Sequence, residues 1–361
     1  MMGTLVDRSE AALGHSVTRW ATVGIALGAA ALLTGLLVGS SALTFGVLAA
    51  SWLFFAGVAT GGVAFSAAVR CSKGRWASAA LPAVEAGAAF FPAALALLAV
   101  LVLGAGAWIP GAAEAGWGSW TSRVVRELAA SAVLFAVGTR YLRRAHAETA
   151  PQPSRAAVAY LLLYVSVLSL WAIDLVMDLH EWAPSTVIPA YYFIGALLGA
   201  IALAALAVGL GPETAAGAAA RPDLGKLLFA MVIFWGYLLW AAYLPVWYGN
   251  MPDETGQLLA RWAGGWKYLS LGVLGTVLGF PFFFLLPERT KRGRTSVAVV
   301  AAGILAGLFG EHLLLVLPSL PVRADAPSVV LGVLVALGVL GLFVLTVGGA
   351  IDAAKGNAAN R

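Results

Sequence analysis

Cysteine, histidine and charge are all scarce in this chain. Of its 361 residues one is cysteine, Cys71, and four are histidine, His15, His146, His180 and His312. A single thiol excludes an internal disulfide, a cysteine-ligated iron–sulfur cluster and a C-x-x-C-H haem attachment. The histidines are too few and too scattered to promise a paired-histidine haem. Any metal centre that works with this chain is therefore expected in a partner. Asp, Glu, Lys and Arg make up 11% of the residues and apolar types 61%, whereas a soluble domain has about a quarter of its residues charged. The longest polar segments, 106–119, 144–155, 211–224, 249–264 and 318–326, are each too short to bury a core.

What the chain does have is apolar sequence in runs of membrane-spanning length. A helix needs ~20 mostly apolar residues to cross a hydrocarbon core of ~30 Å. Ten runs qualify, at about 19–39, 44–69, 78–105, 120–143, 156–178, 185–210, 225–248, 265–286, 296–317 and 327–350. They predict an all-α integral membrane protein, one transmembrane domain of ten helices over 1–361. The 42 glycines suit close helix–helix approach. Ten crossings place both termini and the loops near 70–77, 140–155, 211–226 and 288–295 on one side. That side holds 17 of the 22 Lys and Arg; the other keeps Arg123, Arg126, Arg261, Lys267 and Arg323. Basic loops stay in the cytoplasm, so both termini are expected there. The net charge of +5 is then a topology signal carried by short loops, and a nucleic-acid partner is not expected. The run after Arg8 and Arg19 is longer than a signal-peptide core and is expected to stay as the first span.

Chemistry in such a chain has to come from ionisable groups inside the spans, where a charge costs ~3 kcal/mol or more unless paired or hydrated. Glu85 lies about two turns inside the third run, ~10 Å from the loop and beyond easy snorkelling. A proton-carrying role and a carboxylate hydrogen-bonded for packing are both open. Asp174 and Asp178, in WAIDLVMDLHEW (171–182), sit one turn apart, where mutual repulsion would let the pair hold a proton. Asp178 also fits a solvated acidic helix end together with His180 and Glu181. Glu311 and His312 interrupt the ninth run. Adjacent residues point ~100° apart on a helix, so these two cannot share one metal from one face; a proton relay and a buried ion pair both fit.

Other pairings are more local. Arg123 and Glu127 stand at i and i+4 at the start of the fourth run and are expected to bridge each other. Tyr237, in an aromatic seventh run, is the candidate link between an inner Glu85 and an outer Asp174 and Glu311. Asp223 and Lys226 are expected to cap the start of that run. Gly249-Asn250 should end it, with Pro252 opening a short external helix. Trp20, Trp76, Trp108, Trp117, Trp120, Trp182, Trp247, Trp262 and Trp266 read as an interfacial belt, with Trp171, Trp235 and Trp240 deeper.

Several motifs point beyond composition: KGRWASAALPAVEA (73–86), AIDLVM (172–177) followed by Ser185-Thr186, DLGKLLF (223–229), WYGNMPDET (247–255) and Glu311 before LLLVLP. Through them the chain, over roughly 20–350, resembles the NrfD-like family of polysulfide reductase membrane subunits. It is most similar to the ActF type of membrane subunit in alternative complex III, a bacterial quinol:cytochrome c oxidoreductase of the respiratory chain. The resemblance implies two up-down four-helix bundles, spans 2–5 and 6–9, flanked by spans 1 and 10. It implies an accessory, proton-conducting subunit of the bacterial inner membrane, without a redox centre of its own. Menaquinol or ubiquinol, haem c and iron–sulfur clusters are then expected in partners: a second NrfD-like quinol-binding subunit, a periplasmic iron–sulfur subunit and multihaem cytochrome c subunits, with lipid around them. Glu85, Asp174 and Glu311 match family positions. The chain departs from the family where a D-P-H-W-Y-S-T stretch becomes His180–Thr186, a Ser-Gln pair becomes Ala241-Ala242, and a histidine becomes Val277. Each departure removes a polar group from where quinone or proton traffic is expected. A quinol-binding anchor of a polysulfide- or tetrathionate-type reductase stays open, and so does a stand-alone proton-coupled carrier. A carrier should show repeat-related broken helices and a polar midplane site, neither evident in the sequence.

Overall fold

In lipid a backbone must satisfy its N–H and C=O groups within itself, and a chain this apolar does so as helix. The computed structural model describes residues 2–109, 119–147, 155–179, 185–250, 252–322 and 325–359, and there is no strand among them. In chain order the helices are α1 Met2–Leu37, α2 Ser41–Cys71, α3 Leu81–Glu85, α4 Phe91–Leu103, α5 Trp120–Ala145, α6 Arg155–Leu175 and α7 Ile188–Leu210. There follow α8 Ala215–Gly249, α9 Pro252–Trp262, α10 Trp266–Val273, α11 Phe280–Phe284, α12 Glu288–Arg292, α13 Arg294–Val316 and α14 Ala326–Ala359. Among the described residues nine rods are long and apolar enough to cross a membrane, with α3–α4 and α10–α11 counted as one each. The chain is an all-helical, membrane-embedded protein. The run expected at 120–143 is the helix α5, but arginines at both ends and Glu127 keep it out of the nine.

Three local expectations change. The third and eighth runs are not regular: a 3-10 segment, Ala86–Phe90, joins α3 to α4, and a π-helical segment, Leu274–Gly279, joins α10 to α11. Pro82 and Phe91-Pro92 bracket the first irregularity and Pro281 follows the second, each proline withholding an N–H from the regular ladder. α8 begins ten residues before the expected 225, because Thr214 accepts the Gly217 amide at 3.0 Å as an N-cap. Asp223 and Lys226 therefore pair on the side of a helix, 3.2 Å apart, and do not cap it. Trp108 is buried, with its indole N–H on the Leu101 carbonyl at 3.1 Å, so it does not belong to an interfacial belt. Trp117 and Trp182 lie outside the described residues.

α2 is the central helix and is buried almost all round. It packs against α3, α4, α6, α7, α13 and α14. Its many alanines and glycines make that approach possible, since small residues let helix backbones touch where lipid supplies no hydrophobic drive. α4, α5 and α6 pack in succession beside it, while α7, α8, α10 and α13 pack together on its other flank. α1 lies along α14. α2 also sets a ruler for the interior: Thr60 meets Tyr160, Trp52 meets Trp171, and Leu53 meets Tyr192.

Candidate functional site

Two polar clusters are buried at opposite ends of α2, and a third group lies across it. At the Cys71 end, Ser66 and Arg70 stand at i and i+4 and so share one face of α2. α3 brings Glu85 to that face. Arg70 Nη2 donates to Glu85 Oε1 at 2.6 Å, and the Ser66 hydroxyl donates to the same oxygen at 2.5 Å. The last turn of α5 adds Tyr141, whose hydroxyl is 3.0 Å from that of Ser66. His146, just past α5, reaches Glu85 Oε2 at 2.7 Å and is 59% exposed at its side chain. Glu85 is thus buried but doubly hydrogen-bonded and paired, with an imidazole between it and the surface.

At the Ser41 end the donors come from α5 and the acceptors from α6. Arg123, Arg126 and Glu127 fall at i, i+3 and i+4, on one helix face. Arg126 grips Asp174 Oδ2 through Nε at 2.6 Å and through Nη2 at 2.5 Å. Arg123 donates to the Asp174 backbone carbonyl and to Asp178 Oδ2, both at 2.8 Å. The expected Asp174–Asp178 pair does not form as such, because each aspartate has its own arginine and α6 gives way to a 3-10 turn at Met177–Leu179. The expected Arg123–Glu127 bridge is absent too: Arg123 turns to α6, and Glu127 lies against Asp174. Glu127 has no exposure at all, and neither of its carboxylate oxygens meets a donor among the described residues. His180 and Glu181 lie outside the described residues.

Glu311 and His312, both buried on α13, diverge as adjacent helical residues must. Glu311 faces Tyr191, Trp235 and Arg261. Arg261 sits on α9, where burial lowers the pKa of its guanidinium while Tyr191 and Glu311 oppose the shift. His312 gives Nδ1 to the Leu308 carbonyl at 2.6 Å, and its ring stands edge-on to Phe54 and Tyr192.

Between the two ends the described polar groups include the hydroxyls of Ser51, Thr60 and Ser131 and a set of phenols. Tyr160 donates to the Thr60 carbonyl at 3.0 Å, Tyr164 to Phe193 at 2.6 Å and Tyr192 to Leu53 at 2.9 Å. Tyr141 and Tyr160 stack with ring centres 6.3 Å apart. Tyr237 is 63% exposed on the flank of α8 and joins neither cluster, so the link expected of it is not made by that residue. Sequence reading singled out Glu85, Asp174, Asp178, Glu311 and His312, and the structure buries all of them except Asp178, which is 33% exposed at its side chain. It missed Ser66, Arg70, Tyr141, His146 and the phenols of α6 and α7. The available signal was the i, i+4 spacing of Ser66 and Arg70 and the two tyrosines one turn apart at 160 and 164. No known family's sequence profile matches the chain, and no curated protein matches it.

Proposed function

We propose that this chain is an accessory, proton-conducting subunit of a quinol-oxidising respiratory complex of the alternative complex III type. In this reading it lies in the bacterial inner membrane with both termini in the cytoplasm. It crosses ten times, with α5 as a full span, as two four-helix bundles flanked by α1 and α14. A second NrfD-like subunit binds menaquinol or ubiquinol beside it, and an iron–sulfur subunit and multihaem cytochromes c carry the electrons. The observation that carries the reading is WYGNMPDET at the end of an aromatic span, together with DLGKLL in its first half. Carboxylates at both ends of α2, with phenols between, support proton conduction, since groups this costly in lipid mark ion pathways. Glu85 belongs to the inner end of such a path and Asp174 and Glu311 to the outer, with Tyr141, Tyr160 and Tyr192 in the place first given to Tyr237.

An apolar cavity supports an accessory role over a quinol-binding one. It holds about 770 Å³ between α2, α13 and α14, and its walls are aliphatic and phenyl groups, with Val47, Phe55, Leu305, Phe309 and Phe343 among them. Among the described residues of that lining, the indole N–H of Trp266 is the one polar side-chain group. A quinone ring needs hydrogen-bond partners for two carbonyls, so this space suits an acyl or isoprenoid chain better than a headgroup.

Purification of the tagged chain from native membranes in mild detergent tests the reading. The subunit should bring c-type haem and an iron–sulfur protein in fixed ratio, with quinol-oxidising activity. A chain that purifies alone, without haem or iron, overturns it in favour of a carrier.

A further inference from the structure

We propose that Glu127 and Asp174 share one proton across a carboxyl–carboxylate hydrogen bond, so that the buried start of α5 and end of α6 form a proton-binding site. Both side chains are fully buried. Asp174 Oδ2 is occupied by Arg126, while Oδ1 has no donor among the described residues, nor has either oxygen of Glu127. The two carboxyl groups lie against each other. One added proton joins the two groups: a Glu127 O–H donates to Asp174 Oδ1, and two of the three orphan oxygens become partners.

The charges of the described residues favour the same proton. The cluster contains two guanidiniums, Arg123 and Arg126, and three carboxyls, Glu127, Asp174 and Asp178. Arg123 is committed to Asp178 and to a backbone carbonyl. Arg126 is held on Asp174, and two fully buried carboxyls in contact do not both ionise readily. From the packed helices, the groups that face Glu127 are Arg123 and Arg126 on α5, Asp174 on α6 and Tyr192 on α7. The Tyr192 hydroxyl already donates to the Leu53 carbonyl, so it does not supply the missing hydrogen. Glu127, which its sequence position marks only as an ion-pair partner, is the proton carrier, and Arg126 positions Asp174 to receive its hydrogen bond. The site stands whether or not the chain belongs to a quinol-oxidising complex.

Infrared spectroscopy of the full chain in lipid nanodiscs tests it without partners. At neutral pH the protein should show the carbonyl stretch of a protonated carboxyl group, shifted by deuterium exchange and by ¹³C-glutamate labelling. The labelled band should persist in Glu311→Gln and lose its Glu127 component in Glu127→Gln, whose amide can still donate to Asp174 and preserve the fold. A spectrum with no protonated glutamate at neutral pH in the unmodified chain overturns the proposal, whatever the variants do. So does a band of undiminished intensity in folded Glu127→Gln. If that variant does not fold, loss of the band in Glu311→Gln overturns the proposal and its retention supports it.

Discussion

Arg70 and Glu85 form a mostly buried ion pair, and removing one half differs from removing both. Arg70→Met strands a carboxylate that keeps only Ser66 and His146, at a cost of about 3 kcal/mol of stability, the lower end for a buried pair. The double variant Arg70→Met with Glu85→Leu should recover most of that loss, because two apolar groups leave no uncompensated charge. Unfolding of the purified chain in detergent measures both. Glu85→Gln and Asp174→Asn ask a different question, since they keep shape and hydrogen bonding but cannot ionise. The expected outcome is an assembled complex with lowered proton release and uptake per quinol; unchanged ratios in both would remove these residues from the path. The depth of Glu85, Asp174 and Glu311 was legible because a carboxylate in an apolar run stands out. Their partners were not: Arg70 is 15 residues from Glu85, His146 61, and Arg126 48 from Asp174. A helical period says which residues share a face, not which faces meet. The Arg123–Glu127 bridge failed for that reason, as α6 offered Arg123 an aspartate and a carbonyl together.

Elements in this protein are held by close contact more than by caps. α1 and α14 cross where two glycines meet: a Cβ built on Gly338 would lie 2.9 Å from the Cα of Gly28, and one built on Gly28 2.8 Å from the Cα of Gly338. Gly28→Leu should therefore push α1 off α14 while the rest of the helices stay packed. Cysteines introduced across that seam should then lose their oxidative cross-link, with little change in the unfolding of the rest. The start of α8 is a polar device instead. Arg221 holds Glu213 at 2.6 and 2.7 Å, and this keeps the Glu213 carboxyl below its ordinary value of 4.5. A carboxylate with a lowered folded-state pKa stabilises above its unfolded pKa, and the contribution is lost as pH falls through the folded value. As pH falls below the ordinary carboxylate range the first turn of α8 should exchange its amides faster, and Glu213→Gln should abolish that pH dependence while the effect on global stability stays slight. Helix ends set by local chemistry were legible here: Asn250 takes φ +46 after Gly249, and Pro252 opens α9 as its type predicts. The 3-10 and π segments were legible only as breaks, because Pro82, Pro92 and Pro281 interrupt the regular ladder without setting which irregular turn fills it.

The count of crossings rests on α5. Its 26 residues reach ~39 Å at 1.5 Å each, enough for a hydrocarbon core of ~30 Å with the ends beyond it. Its charges fall in the first two turns and the last two, with LAASAVLFAVGT (128–139) between them. The arginines and Glu127 are the groups that lower its hydropathy, yet Arg123, Arg126 and Glu127 face α6, where ion pairs with Asp178 and Asp174 offset most of the ~3 kcal/mol each arginine would cost in lipid. Hydropathy scores such a helix as too polar because it cannot see that the charged face is turned inward. Side labelling separates the two counts. In a Cys71→Ser background, a cysteine at position 75 and one at position 292 are separated by six rods if α5 crosses and by five if it does not. With ten crossings both should react with a membrane-impermeant thiol reagent from the same side, and a cysteine at position 257 from the opposite side. Labelling of positions 75 and 292 from opposite faces would reduce the count to nine, strand Arg123 and Arg126 at the wrong depth for Asp174, and dissolve the basic asymmetry that places both termini in the cytoplasm.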